Sequence, residues 1–194
     1  MNELTFEKGV TRLNGKPYFM TYPSKVRFFP CNPTLEMINL PDMAHSLSIV
    51  RRFGGHTRKG ISSGIHSLLV SKFAPPHLKF RAILHDGSDA YCGDMVSPLK
   101  HHTSMEMFRH YENQIQSLIY EKFGLNPIMT DEEAAELKLY DLAALAEESR
   151  VGDHDWYTQI PERKYITENL IILEDEDVER LYLREFDRLY KERQ

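Results

Sequence analysis

The chain has 194 residues, of which 41% are hydrophobic and 27% are charged, and its formal net charge is −5. This length and composition predict one globular domain with a core of its own rather than a disordered chain. The acidic balance argues against a nucleic-acid partner bound mainly through charge, although it leaves room for a local basic pocket around a phosphate.

Cysteine use and hydropathy indicate the compartment. The two cysteines, Cys31 and Cys92, are too few for a disulfide framework. The sequence contains no signal-like segment and no long apolar run, so no membrane partner is indicated and we expect a cytoplasmic protein. Cys92 has no CxxC spacing, which favours a small buried thiol over a metal ligand.

The first 40 residues predict an N-terminal arm. Residues 4–29 alternate between polar and apolar types around the turn signal Asn14-Gly15, which indicates a short hairpin or an extended segment. Five aromatic residues of this arm are available for packing, namely Tyr18, Phe19, Tyr22, Phe28 and Phe29.

Helical spacing of apolar residues dominates the rest of the chain. Together with Pro, Ser, Thr and Gly near the ends, it predicts helices over residues 41–53, 63–74, 78–90, 104–123, 130–150 and 175–191. The fifth helix begins with a capping box at Thr130 and Glu133. Residues 93–102 are predicted to form a loop over the end of the third helix, and residues 152–164 a polar excursion.

These elements predict a mainly α fold with one domain. It comprises the arm (1–40), a catalytic helical core (41–150) and a C-terminal excursion and helix (151–194). The last helix either closes the domain or pairs subunits.

The third predicted helix ends its apolar run in the adjacent pair His85-Asp86, and Asp89 follows about one helical turn later. His66 lies on the preceding predicted helix, beside its apolar stripe. Asp141 lies on a later helix, where it shares a face with Lys138. Two imidazoles and two carboxylates favour Mn, Fe, Co, Ni or Zn over Ca, and Mg is a less natural choice. A cation with open coordination positions activates water and polarises a phosphoryl group, so the residues predict hydrolysis of a phosphoester or phosphoanhydride.

The order of these residues resembles the HD-domain superfamily of metal-dependent phosphohydrolases. From about residue 21 to residue 150 the chain is similar to the YfbR/YfdR-type group, which includes 5'-deoxynucleotidases and the DatZ-type dATP triphosphohydrolases of phages. The motifs that carry the resemblance are Ala44-His45-Ser46-Leu47, Arg52-Phe53-Gly54-Gly55-His56, His66-Ser67, Leu84-His85-Asp86, Asp89-Ala90-Tyr91, Gly93-Asp94, Pro98-Leu99-Lys100 and Lys138-Leu139-Tyr140-Asp141.

The resemblance implies an HD-domain helical bundle that forms a homo-oligomer and hydrolyses a small-molecule deoxynucleotide. It does not choose between a 5'-deoxynucleotidase and a deoxynucleoside triphosphate triphosphohydrolase. The metal ligands that it implies are His66, His85, Asp86 and Asp141. Asp89 takes the place of a catalytic acidic residue that orients or activates the attacking water. The usual pattern has Glu at this position, and Asp is one methylene shorter.

The resemblance also implies contacts to the substrate. Arg52, Lys100 and Lys138 match positions suited to phosphate oxygens, and Arg52 would also act in catalysis by offsetting charge in the transition state. Asp94 matches an acidic position that holds the leaving side or the sugar. The residues alone leave alternatives, because Arg52 suits a helix C-terminus and Lys138 suits a simple ion pair with Asp141.

Two other functions stay open. A nucleotide-binding regulatory HD module with little turnover is favoured by Asp89 in place of Glu. A nuclease is disfavoured by the net negative charge and by the lack of a long basic stretch.

Overall fold

Helices in the predicted order build most of the chain, and short strands form its N-terminal part. The computed structural model describes residues 3–194, so the first two residues of the predicted arm lie outside the described residues. The helices are α1 (Leu40–Ile49), α2 (Ser63–Phe73), α3 (Lys79–Leu84), α4 (Asp89–Cys92), α5 (Ser97–Lys100), α6 (Glu106–Lys122), α7 (Asp131–Val151) and α8 (Asp175–Glu192). The strands are β1 (Leu4–Glu7), β2 (Val10–Leu13), β3 (Lys16–Pro17), β4 (Phe19–Met20) and β5 (Arg27–Phe28). The predicted mainly α, single-domain fold is confirmed.

The N-terminal arm consists of two antiparallel ribbons, in the orders β1-β2-β3 and β4-β5. The turn between β2 and β3 is the predicted one, with φ of 51° at Asn14 and 76° at Gly15. Such left-handed backbone suits the twist of a tight hairpin. Phe28 is fully buried and stacks on Tyr91 with 4.3 Å between the ring centroids. Tyr22 stays largely exposed, but its ring also packs on His45 of α1, with 4.7 Å between the ring centroids.

The main core lies between α1, α3, α6 and α8, and its centre includes Leu47, Ile83, Ile119 and Tyr182. The last helix contacts α1, α2 and α3. Its buried side chains recur every three or four residues and include the fully buried ring of Tyr182. The C-terminal helix therefore closes the domain, which is one of its two predicted roles. Within residues 3–194, no helix combines the length and apolarity needed to cross a bilayer.

The first helix ends earlier than predicted, at Ile49. The backbone is extended at Arg51. On either side of Arg51, backbone hydrogen bonds join the chain to residues 61–63: Arg52 N donates to Ile61 O (2.9 Å), and Ser63 N donates to Val50 O (3.0 Å). A short 3₁₀ turn follows, in which Phe53 and Gly54 have φ of 58° and 60°. These hydrogen bonds to residues 61–63 thus end the helix despite its regular apolar spacing. They also place Arg52 beside the start of α2.

The predicted third helix, residues 78–90, is divided into α3 and α4. In a continuous α-helix the Ser88 N–H would donate to the Leu84 carbonyl. Instead, the Gln116 side chain enters between them, with Ser88 N donating to Gln116 Oε1 (3.0 Å) and Gln116 Nε2 donating to Leu84 O (2.8 Å). An inserted side chain is a recognised cause of a helix break. His85 and Asp86 lie inside this break.

The predicted loop over residues 93–102 contains the short helix α5, with Pro98 in its first turn. The predicted helix from 130 to 150 is confirmed, and both hydrogen bonds of the Thr130 and Glu133 capping box are present. The polar excursion after α7 contains 3₁₀ turns at Asp155–Gln159 and Pro161–Tyr165.

A buried hydrogen bond between α8 and the end of α3 allows the packing of these two helices to be tested. Tyr182 Oη donates to Ile83 O (2.8 Å), a carbonyl without its α-helical partner because Gly87 N donates to Leu84 O instead. We expect Tyr182→Phe to lower the free energy of unfolding by about 1–3 kcal/mol, since a buried acceptor loses its donor. Denaturant unfolding measures this change. The matched control Tyr190→Phe, at a partly exposed ring of the same helix, should change it by less than about 0.5 kcal/mol.

Candidate metal centre

Three helices bring the predicted ligands together. His66 on α2, His85 after α3 and Asp141 on α7 each offer one ligand atom, and these atoms lie within 4.8 Å of one another. His66 Nε2 is 3.2 Å from His85 Nε2 and 3.2 Å from Asp141 Oδ1. Asp86 Oδ2 lies 3.3 Å from His66 Nε2 and 3.4 Å from His85 Nε2. Three of the four predicted ligands therefore form one cluster, and Asp86 lies beside its two imidazoles.

The local sequence explains why His66 reaches this cluster. Ser62 caps α2, because its side chain accepts a hydrogen bond from Ile65 N. The helix then packs against both α3 and α7, so His66 is fully buried rather than lying at the edge of an apolar stripe. Gly64 permits the close approach of α2 to its neighbours, because a Cβ there would lie 3.0 Å from the Leu47 carbonyl oxygen.

Both imidazoles are oriented by their outer nitrogens. His66 Nδ1 lies 2.8 Å from Glu148 Oε1, and His85 Nδ1 lies 2.7 Å from the Ala82 carbonyl oxygen. A carbonyl or carboxylate oxygen accepts, so each Nδ1 carries the proton and donates. In the neutral rings both Nε2 lone pairs then face each other and the two carboxylates. A cation or a proton at this point would satisfy such a set.

The electrostatics agree with this requirement. Burial and the Arg52 charge lower the pKa of His66, but Glu148, Asp141 and Asp86 raise it well above its ordinary value. Burial raises the pKa of Asp141, whereas the hydrogen bond and the charge of His66 lower it, and the net effect lowers it. The cluster attracts positive charge at its centre.

The spacing of the donors is compatible with the ligation of one metal ion. Ligands about 2.1 Å from one cation lie about 3.0–3.4 Å apart in octahedral or tetrahedral geometry. The distances from His66 Nε2 to His85, Asp86 and Asp141, and from His85 Nε2 to Asp86, are 3.2–3.4 Å and fall in this range. The mixture of nitrogen and oxygen donors is the one expected for Mn, Fe, Co, Ni or Zn, and the choice among these metals stays a prediction.

Glu148 is a central residue of the site that the sequence reading missed. It is fully buried on α7, and its Oε2 also accepts from Arg52 Nε at 3.1 Å. A carboxylate behind a metal-binding histidine fixes the ring and makes it more basic. Its spacing was the available signal, because Glu148 follows Asp141 by two helical turns and lies on the same face.

The Arg52 guanidinium lies next to the ligand cluster. Besides Glu148, its Nη1 approaches Asp86 Oδ2 at 3.4 Å. Burial lowers the pKa of the guanidinium, but Glu148 and Asp86 raise it above its ordinary value. Its cation therefore balances these buried carboxylates, and a contact to phosphate stays a prediction.

A cavity of about 460 Å³ opens beside His85, Asp86 and Asp141. Lys100 and Lys138 both line it. Lys100 Nζ donates to the buried Glu112 at 2.7 Å, and Lys138 Nζ donates to Asp141 Oδ2 at 2.6 Å. The predicted lysines therefore share the cavity, and the ion pair between Lys138 and Asp141 is present.

The remaining two predicted residues lie deeper or to one side. Asp89 is buried, and its Oδ2 accepts from Ser63 Oγ at 2.8 Å. Burial raises the pKa of Asp89 to about 7, and Asp86 and Asp94 add to this effect. Asp94 is half-buried in the segment between α4 and α5, where burial raises its pKa and Arg52 lowers it. Ser63, the group that holds Asp89, is the first residue of α2, and no sequence motif marked it as a site residue.

Comparison with known proteins gives two distant relatives. No protein-family model matches the chain. It is similar to the uncharacterized protein YfdR of Escherichia coli (strain K12), with 37% identity over 113 residues, or 58% of this chain and 60% of that protein. It is also similar to an uncharacterized protein of Rhodobacter capsulatus, with 28% identity over 107 residues, or 50% of this chain and 54% of that protein. The chain thus spans just over half the length of the curated relatives it matches, and the first match agrees with the YfdR-like part of the resemblance.

The carboxylate behind His66 can be tested directly. Glu148→Gln keeps the shape of the side chain but removes its charge from His66 and Arg52, so we expect the affinity for Mn²⁺ to fall by about 10- to 100-fold. Isothermal titration calorimetry on metal-free protein measures it. Glu132→Gln, at an exposed position in the first turn of the same helix, is the matched control and should keep wild-type affinity. Equal affinity in both variants would show that Glu148 does not support the ligand.

Proposed function

We propose that the chain is a metal-dependent phosphohydrolase of the HD-domain type that acts on deoxynucleotides. It would be a 5'-deoxynucleotidase or a deoxynucleoside triphosphate triphosphohydrolase, for example one for dATP. The observation that carries the proposal is the convergence of His66, His85, Asp86 and Asp141 beside a cavity lined by two lysines. The motif resemblance supports the nucleotide as substrate.

The four ligands would hold a divalent metal from the group Mn, Co, Zn, Fe and Ni. Such a metal supplies Lewis acidity toward a phosphate oxygen and lowers the pKa of water. The chain itself holds the ligand rings in place through the Ala82 carbonyl and Glu148.

The cavity residues would bind the phosphate groups. Lys100 and Lys138 bring ammonium groups to the cavity that contains three of the ligands. Positive charge at such positions offsets the charge that develops on phosphoryl oxygens during hydrolysis. Glu112 restrains Lys100, so this ammonium is oriented before the substrate arrives.

Asp89 would orient the attacking water. The Ser63 hydroxyl holds one carboxylate oxygen of Asp89 and leaves the other for a second partner. Its short side chain and buried position suit action through an intervening water. Asp94, close enough to Arg52 for its pKa to be affected, would contact the leaving side of the substrate.

The size of the cavity favours a small ligand over a polymer. About 460 Å³ is within the range of small-molecule sites. Binding of a nucleic-acid backbone depends on several cations along a groove, and carboxylates accompany both lysines of this cavity. We therefore propose a nucleotide hydrolase in preference to a nuclease.

A panel of deoxy- and ribonucleoside mono-, di- and triphosphates with Mn²⁺, Co²⁺, Zn²⁺ or Mg²⁺ tests the proposal. We expect turnover that requires metal and that disappears in His85→Ala, because this variant removes a ligand at the centre of the cluster. Chromatography of the products separates the two activities: triphosphate from dATP indicates a triphosphohydrolase, and phosphate from dAMP indicates a 5'-deoxynucleotidase.

The other functions give different results in the same panel. Tight binding of a nucleotide without turnover under any metal would contradict the enzyme and identify a regulatory HD module. Cleavage of single-stranded DNA without turnover of nucleotides would identify a nuclease.

The role of Lys138 gives a separate prediction. Loss of one charge-assisted contact to phosphate weakens transition-state binding by about 1.5–3 kcal/mol. We therefore expect Lys138→Met to lower kcat/KM by about 10- to 100-fold at saturating metal, and Lys138→Arg to restore part of it. Steady-state kinetics measures this, with Lys122→Met at an exposed site on α6 as the control. An unchanged kcat/KM in Lys138→Met would show that Lys138 does not contact phosphate and only forms the ion pair with Asp141.

A further inference from the structure

The turn that carries His85 and Asp86 is held open by one side chain. Residues 85–88 connect α3 to α4, and here Gly87 N donates to Leu84 O (3.0 Å) and Asp89 N to Asp86 O (3.1 Å). These bonds span three residues, as in a 3₁₀ turn, and not four as in the flanking helices. The Gln116 carboxamide bonds to Leu84 and Ser88, the two groups that would otherwise form the next α-helical bond.

We propose that Gln116 is a positioning residue for the metal ligands His85 and Asp86. Both of its amide atoms are engaged with the backbone on either side of the two ligands. No other side-chain amide among residues 3–194 bonds to both ends of this turn. The inference rests on the metal site of the proposed function and adds to it the element that shapes the turn.

The geometry gives a magnitude for this effect. Successive residues are rotated by about 120° in a 3₁₀ turn and by about 100° in an α-helix. At the outer radius of a helix, about 5–6 Å, the difference of about 20° per residue moves a side-chain tip by about 2 Å. Metal ligands tolerate deviations of only about 0.2 Å. If the Ser88 N–H returned to Leu84 O, the Nε2 of His85 and the Oδ2 of Asp86 would no longer meet at 3.4 Å.

The surrounding packing brings Gln116 close enough to act. Gly87 faces α6, and a Cβ at this position would lie 3.1 Å from Ile119 Cδ1 and 2.9 Å from Met43 Cε. Ile119 is three residues after Gln116 on the same helix. The missing side chain at Gly87 therefore lets the turn approach α6 to within reach of the Gln116 amide. On the opposite side, Tyr182 bonds to Ile83 O and fixes the end of α3.

Gln116 also lines the cavity beside the ligands, so its action must be separated from contact with a substrate. Metal binding in the absence of nucleotide makes this separation. A residue that only contacts substrate leaves the metal affinity unchanged. A residue that only stabilises the fold lowers the melting temperature but leaves the affinity of the folded protein unchanged.

The test uses the full chain stripped of metal and titrated with Mn²⁺ by calorimetry, without nucleotide. Gln116→Met keeps the length of the side chain but makes neither hydrogen bond. Gln116→Asn keeps the amide but is one methylene too short to reach both groups. We expect the Mn²⁺ affinity to fall by about 10- to 100-fold in both variants. The visible absorption of bound Co²⁺, which reports ligand geometry, should change as well.

Gln114→Met is the matched control, because Gln114 lies two residues earlier on α6 with its side chain exposed. It should bind Mn²⁺ within about twofold of wild type. Circular dichroism confirms folding, and if Gln116→Met does not fold, Gln116→Asn decides the question. Wild-type affinity and an unchanged Co²⁺ spectrum in a folded Gln116 variant would overturn the inference. A wild-type chain that binds no metal would instead overturn the site on which the inference rests.

Discussion

The structure depends on a cluster of charges that has been removed from water. His66 and Glu148 are fully buried, and Arg52, Asp86 and Asp141 are mostly enclosed around them. Burying ions is unfavourable unless each finds a partner, since desolvation of an unpaired charge costs several kcal/mol. Glu148 partners Arg52 and His66, and the remaining carboxylates point at the same place as two imidazole lone pairs. Positive charge at the centre of this cluster would complete the compensation.

The local departures from regular helix serve this cluster. Extended backbone after α1 and left-handed backbone at Phe53 bring Arg52 to Glu148, although Phe53 is a residue type that rarely adopts positive φ. The break between α3 and α4 brings His85 and Asp86 to His66. Backbone strain and lost helical bonds of this kind persist where surrounding contacts determine them, and they concentrate at functional sites.

Features coded within a few residues were predictable from the sequence, as the Thr130 capping box and the Asn14-Gly15 turn show. The grouping of His66, His85 and Asp141 was predicted from residue type and from the motif resemblance, not from local spacing. The breaks in the first and third predicted helices were not. Their causes lie outside the helices themselves, since Gln116 enters the third predicted helix 28 residues after Ser88, and Ile61, beyond the end of the first, bonds to Arg52. In both places, hydrogen bonds to residues outside the helix end it, although its apolar residues keep helical spacing.

Glu148 and Gln116 show why the residues of a candidate ligand set are easier to find in a sequence than the residues proposed to support them. Ligands are restricted to a few residue types, whereas a supporting group needs only an acceptor or a donor at the correct distance, which many residue types provide. Glu148 had a weak signal in its two-turn spacing from Asp141. Gln116 had none, because a glutamine on an amphipathic helix is normally a surface residue.

Lys138 connects the ligand cluster to the proposed phosphate site through a shared group, the Asp141 carboxylate. Asp141 presents Oδ1 to His66 and Oδ2 to Lys138, so one carboxylate interacts with the ligand cluster and with a cavity ammonium at once. A positive charge at the cluster centre would also interact with the Asp141 carboxylate, and this weakens the attraction between Asp141 and Lys138. The ammonium is then more available to an anionic ligand in the cavity. On this reasoning cation and phosphate binding support each other, because each reduces the electrostatic penalty that the other meets.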